Sequence, residues 1–147
     1  MGKVIAFGVF DGLHEGHRFF LEQAKELAKK NTFPSLTVIV ARDETVWRLK
    51  GKVATFSEQE RVNALRDLRI ADKVLLGVDI DGENKKDTQA EKKDPLSFLY
   101  SENPDWIALG YDQDSPLTHK IPAEFRERIV RIPAFFPHKF KSSIIFA

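Results

Sequence analysis

Residues 4–7 form an unbroken apolar run closed by Gly8, and that shape predicts a strand buried on both faces. From Gly16 the period changes. Phe20, Ala24, Leu27 and Ala28 recur at intervals of three and four, with Glu22, Lys25, Glu26, Lys29 and Lys30 on the other face, so an amphipathic helix is predicted that Asn31 and Pro34 end. Residues 36–41 read as a second buried strand, 43–50 as a short helix or turn, and Gly51 as a break. Ser57 and Glu60 make a capping box, which starts a helix carrying Val62, Leu65 and Leu68 inward and presenting Arg61 at its exposed first turn. Residues 74–76 closed by Gly77, 106–109 closed by Gly110, and the weaker run 129–132 predict three more strands. Between them, Asp94 and Pro95 start a helix through Tyr100, and a short helix after Pro122 carries Arg126 and Arg128. Strands alternating with helices predict βαβ units: a Rossmann-like, five-stranded parallel sheet with helices on both faces. The polar stretch 79–94 has almost no apolar anchor and reads as a mobile surface loop, not a linker.

Composition narrows the class. A chain of 147 residues, 42% of them hydrophobic, suits a single domain over 1–147 with one sizeable core. The formal net charge is only +1, which argues against a nucleic-acid partner. That balance averages over segments. Arg48, Lys50 and Lys52 cluster after the second strand, residues 126–141 are basic, and six acids lie in 79–94. There is no cysteine, hence no disulfide, thiolate nucleophile or cysteine-ligated metal site. The apolar runs are too short to span a membrane and the first residues enter a strand directly, so a soluble cytoplasmic protein with no membrane partner is expected.

The chemistry concentrates in GVFDGLHEGH, residues 8–17, between the first strand and the first helix. In an open parallel sheet, ligands bind beyond the strand C-termini, where a helix N-terminus offers free N–H groups to an anion. Gly8, Gly12 and Gly16 permit tight turns, His14 and His17 can donate to a phosphate as its charge grows, and Asp11 can orient a neighbour or help hold a cation. The segment is neither a P-loop nor GxGxxG, and it lacks the spacing and third ligand of a zinc-protease motif. The plainer alternative is that the histidines only cap the helix.

The same residues resemble the (T/V)FDxxHxGH signature of the cytidylyltransferase-like nucleotidylyltransferases, a family whose HxGH element is related to the HIGH element of class I aminoacyl-tRNA synthetases. IVARDETVWRLKGK at 39–52 and LGYDQ at 109–113 resemble segments of archaeal-type FAD synthetases (FMN adenylyltransferases), and KSSI at 141–144 is similar to the family's terminal element. The resemblance implies a HUP-type fold, a homodimer and transfer of a nucleoside monophosphate from ATP or CTP to a phosphorylated acceptor, with pyrophosphate released and Mg²⁺ as cofactor. FMN is the favoured acceptor; glycerol-3-phosphate cytidylyl transfer, or a non-catalytic nucleotide-binding relative, stand as alternatives. It further implies catalytic roles for His14, His17, Asp11 and Lys50, with Asp11 possible at the metal. The nucleotide would meet Gly8, Val9, Phe10, Gly16, Arg61 facing the crevice, Gly110, Asp112, Gln113, Lys141, Ser142 and Ser143. Trp47, Phe135 and Phe136 could stack on a flat acceptor ring. Val9 departs from the threonine of many relatives, and the missing cysteines depart from the FAD synthetases.

Overall fold

A computed structural model describes residues 3–29, 34–77, 96–113 and 116–133. Along these the chain runs β1 (Lys3–Gly8), α1 (Glu15–Ala28), β2 (Ser35–Val40), α2 (Asp43–Lys50), α3 (Glu58–Leu68) and β3 (Lys73–Leu76). It continues through α4 (Phe98–Glu102), β4 (Trp106–Gly110), α5 (Pro116–His119), α6 (Ala123–Arg126) and β5 (Ile129–Ile132). The strands form one sheet in the order β3-β2-β1-β4-β5, with every pairing parallel. The predicted five-stranded Rossmann-like sheet is therefore present.

Strand alternation divides the core into two layers. Val4 and Ala6 of β1 face Leu21 and Ala24 of α1 and Val62 and Leu65 of α3. Ile5 and Phe7 face Leu99, Ile121 and Phe125 on the opposite side. Each larger side chain buried this way, such as Val4, Ile5 or Leu21, contributes about 1.5–3 kcal/mol, so both faces of β1 are committed to the interior.

Two expectations shift, and one element is new. Asp94 and Pro95, with the polar stretch 79–94, lie outside the described residues, and the helix that follows spans Phe98–Glu102 after a turn at Leu96 and Ser97. Arg128 is not on the short helix, which ends at Arg126; from the turn beyond it, Arg128 donates to Asn103 Oδ1 and Pro104 O, both at 3.0 Å. The short α5 had no periodic signal and was not foreseen.

The sheet order places the topological switch at β1, whose neighbours β2 and β4 are reached by crossovers in opposite directions. After β1 the chain must turn sharply to enter α1. Phe10 at φ 53° and Gly12 at φ 82° make that turn in the left-handed region.

Candidate active site

A cleft of about 850 Å³ opens at the C-terminal ends of the central strands. Gly8, Val9, Phe10 and Asp11 after β1, His14, Gly16 and His17 at the start of α1, and Gly110 to Gln113 after β4 all line it. Lys50 and Lys52 line it from the far end of α2.

The histidines are built into the helix start. His14 is the N-cap of α1: its Nδ1 accepts the Gly16 N–H at 3.0 Å and the His17 N–H at 3.4 Å, while His17 Nδ1 accepts the His14 N–H at 3.3 Å. This is a capping box made of two imidazoles, their ring centroids 3.9 Å apart. The capping role and the chemical role are therefore one arrangement. A neutral imidazole carries one proton, and an Nδ1 that accepts a backbone N–H leaves that proton on Nε2. The cap thus fixes both rings as Nε2–H donors on residues that line the cleft.

Burial, and then the charge His14 would carry, push the His17 pKa below its ordinary 6.5, and Phe10 packs its ring 5.7 Å from that imidazole. The sign follows from the lowered value: the neutral cap contributes fully above about pH 6.5 and is lost as pH falls toward the folded-state pKa, because the unfolded chain binds the proton first. Protonated Nδ1 cannot accept from the backbone. Thermal stability should therefore begin to fall below about pH 6.5, and kcat/KM only at lower pH, as His17 protonates in the folded enzyme, which melting curves and rates across pH 5–8 would check.

Gly16 is required by close approach. A Cβ there would lie 2.8 Å from His14 Cε1 and 3.0 Å from its Nδ1. Gly16→Ala should displace the ring and cost about 10- to 100-fold in kcat with the fold retained, since ångström-scale misplacement of a catalytic group has that effect; kinetics beside a circular dichroism spectrum would show it.

Asp11 is anchored. Its Oδ2 accepts the Thr55 N–H at 2.8 Å and its Oδ1 the Phe56 N–H at 2.9 Å, tying the motif to the loop that carries Lys52. The Thr55 N–H above all, helped by Phe56 and the charge of Arg61, holds the carboxyl below its usual range despite desolvation.

Arg61 corrects an expectation. It is not exposed at the helix start and does not line the cleft; only 1% of its surface is accessible. Its Nε donates to Phe56 O at 3.0 Å, Nη1 to Val9 O at 2.9 Å and Ala41 O at 2.7 Å, and Nη2 to Asp43 Oδ1 at 2.7 Å. A buried charge is tolerated only when satisfied this way. Arg61 is therefore a positioning residue that clamps the segments after β1, β2 and α2.

Arg48 pairs with Glu44 on the α2 surface and Trp47 is 52% exposed; neither lines the cleft. Gln113 spends its amide on the backbone, donating to Phe7 O at 2.8 Å and accepting from Gly110 N at 3.1 Å, so it locks β1 to β4. Arg131 supports the same turn through Gly110 O and Gln113 O. Asp112 remains exposed in the cleft. Lys141, Ser142, Ser143, Phe135 and Phe136 lie outside the described residues. Sequence reasoning missed Arg42, Thr45 and Phe98, which also line the cleft. Arg42 and Thr45 lay within the 39–52 segment that carries the resemblance, which was a signal for them; Phe98 had none beyond its place in the helix before the fourth strand.

The cytidylyltransferase-like family matches residues 5–145. The chain is 42% identical over 115 residues to the FAD synthase of Methanopyrus kandleri, an alignment covering 78% of this chain and 66% of that protein, just under two thirds. It is 34% identical over 145 residues to the FAD synthase of Thermococcus sibiricus, covering 97% and 84% of the two chains, and 33% identical over 149 residues to that of Thermoplasma acidophilum, covering 99% and 92%. Among solved structures, the lipopolysaccharide core biosynthesis protein of Thermoplasma volcanium superposes with a TM-score of 0.67 at 31% identity, over 91% of this chain and 98% of that one. A macrolide-efflux protein from Streptococcus pneumoniae shares the fold alone, at a TM-score of 0.55 and 17% identity. Among the described residues no helix is long and apolar enough to cross a membrane. The sheet order, the HxGH segment capping its helix at the switch point, and a match running nearly the length of the chain place this protein in the cytidylyltransferase-like family of nucleotidyltransferases.

Proposed function

We propose that this nucleotidyltransferase moves the adenylyl group of ATP onto the phosphate of FMN, yielding FAD and pyrophosphate. The observation that carries nucleotidyl transfer is the His14–His17 cap, which leaves two Nε2–H donors at the N-terminus of α1 in the cleft. The likeness to proteins named FAD synthase supports ATP and FMN as the substrates.

In this reading an oxygen of the FMN phosphate forms a bond to the α-phosphorus as the bond to the bridging oxygen of pyrophosphate breaks. No enzyme nucleophile is needed, because the task is positioning and neutralisation of charge. The two Nε2–H groups donate to the α-phosphate as its charge grows, which accounts for rate without consuming a proton. Lys50 and Lys52 meet the departing pyrophosphate. Gly110 to Gln113 shape the nucleoside side, with Asp112 the acceptor for an exocyclic amine.

The fold family also implies a divalent cation. Among the described residues no three His, Asp or Glu side chains are grouped to hold one, and Asp11 already receives two backbone N–H groups. That donor set fits Mg²⁺ carried by the triphosphate oxygens, with Asp11 as the carboxylate of the motif beside it. Bound there, the ion neutralises triphosphate charge. The reading places the enzyme in the cytoplasm, where ATP is abundant, and takes it as a homodimer, a state that sedimentation equilibrium measures.

Pyrophosphate release from ATP or CTP, each offered with FMN or glycerol 3-phosphate, tests the assignment. Release with ATP and FMN alone supports it. Release only in the CTP reactions contradicts it and favours glycerol-3-phosphate cytidylyl transfer.

A further inference from the structure

Among the cleft cations, Lys50 and Lys52 sit on exposed positions at and beyond the end of α2, whereas Arg42 is held. Arg42 stands two residues beyond the end of β2, as the N-cap residue of α2, makes no side-chain cap and lines the cleft. Its Nε donates to Gly77 O at the end of β3 at 2.7 Å, and its Nη1 stands 3.5 Å from Glu58 Oε2. Glu58 is fixed in turn, accepting the Asp43 N–H at 2.9 Å. These are the described partners of the guanidinium, whose side chain is 31% exposed. A guanidinium has five N–H donors in a planar fork, so these two contacts leave most of this one's donors without a described partner, on a residue that lines the cleft.

Position decides what they would meet. The segment after β4 lies on one side of β1, and Arg42, after β2, lies on the other. A nucleotide seated at the switch point between β1 and β4, with its phosphates over the α1 N-terminus, leaves the space beside the N-terminus of α2 for the second substrate, at the opposite end of that helix from Lys50 and Lys52. In-line attack requires the acceptor phosphate to arrive opposite the departing pyrophosphate, and two anionic phosphates approach only if a cation offsets their repulsion. Apolar lining residues flank Arg42 on that side: Ile39 of β2, and Val46 and Leu49 on one face of α2. They suit the uncharged part of an aromatic acceptor.

Resting on the functional reading above, we propose that Arg42 binds the phosphomonoester of the acceptor and makes the enzyme select a phosphorylated flavin over its dephosphorylated form. A forked charge-assisted contact of this kind sets the selectivity, while the apolar wall holds the ring equally well in both forms.

The test compares FMN with riboflavin, which lacks only the phosphate, by flavin fluorescence titration of the wild-type chain, Arg42→Gln and Arg42→Lys, with FAD formation assayed in parallel. Loss of a charge-assisted contact should shrink the FMN-over-riboflavin preference by about 30-fold in Arg42→Gln. Riboflavin affinity and the KM for ATP should hold in that variant. Arg42→Lys keeps a charge and a donor for Gly77 but loses the fork, so its preference should fall between the two. An unchanged preference in either variant overturns the proposal, as does a shared loss of FMN, riboflavin and ATP affinity, which marks a purely structural clamp. If the wild-type chain makes no FAD from ATP and FMN, the functional reading fails and takes this inference with it; FAD formation with an unchanged preference sinks the inference alone.

Discussion

The His14→Asn substitution is expected to lower kcat by about 100-fold while moving the melting temperature by only a few degrees. Asparagine is among the best N-caps, and its side-chain oxygen can take over the acceptor role that Nδ1 plays toward Gly16 and His17. It has no counterpart to Nε2–H at the far side of the ring. His17→Gln makes the parallel change at the third helical position, where a glutamine completes a capping box as the imidazole does now. Alanine at either position removes cap and donor together, so the alanine variants should lose stability as well as rate. Full activity in a variant that keeps only the cap would leave the histidines as helix ends and nothing more. Steady-state rates beside thermal melts separate the two effects.

Arg61→Leu carries the largest expected effect on stability, a loss of about 3 kcal/mol or more in urea unfolding. Leucine matches the apolar neighbourhood of Val62 and Leu65 but leaves Val9 O, Ala41 O and Phe56 O without their donor. Asp43 is 45% exposed and can be solvated, so the carbonyls dominate the loss. Arg61→Lys should recover less than half of it, since one ammonium cannot span four acceptors arranged around a planar fork. The damage should extend to function, because the clamp joins the motif segment to the loop bearing Lys52. A loss below about 1 kcal/mol would mean that water replaces the guanidinium easily and that the clamp is dispensable.

The central strands β1, β2 and β4 were legible because they are buried along most of their length and read as plain apolar runs, while the half-buried edge strands β3 and β5 gave shorter runs, the first closed by Gly77. The helix starts at His14 and Ser57 were legible as local chemistry within four residues. Arg61 was misplaced by its charge. Its spacing to Leu65 and Leu68 follows the helical repeat and puts it on the buried face, but its partners come from segments distant in the chain. The Asp11 tie to Thr55 and Phe56 is likewise a contact between residues more than forty apart. Arg42 lay inside the 39–52 segment that carries the family resemblance, but nothing local singled it out there; its importance comes from the parallel pairing of β2 with β3, which brings Gly77 beside it. Local pattern sets elements and caps; the sheet decides which side chains share a cleft.

Adenylyl transfer passes directly between two substrates at the capped start of α1. ATP labelled at the α-phosphorus, incubated with FMN, Mg²⁺ and the purified chain, tests it in one measurement. Direct transfer puts the label in FAD, releases unlabelled pyrophosphate in equal amount, and leaves no labelled protein after denaturation. Label retained on the protein, or ATP consumed with no labelled FAD, would contradict it.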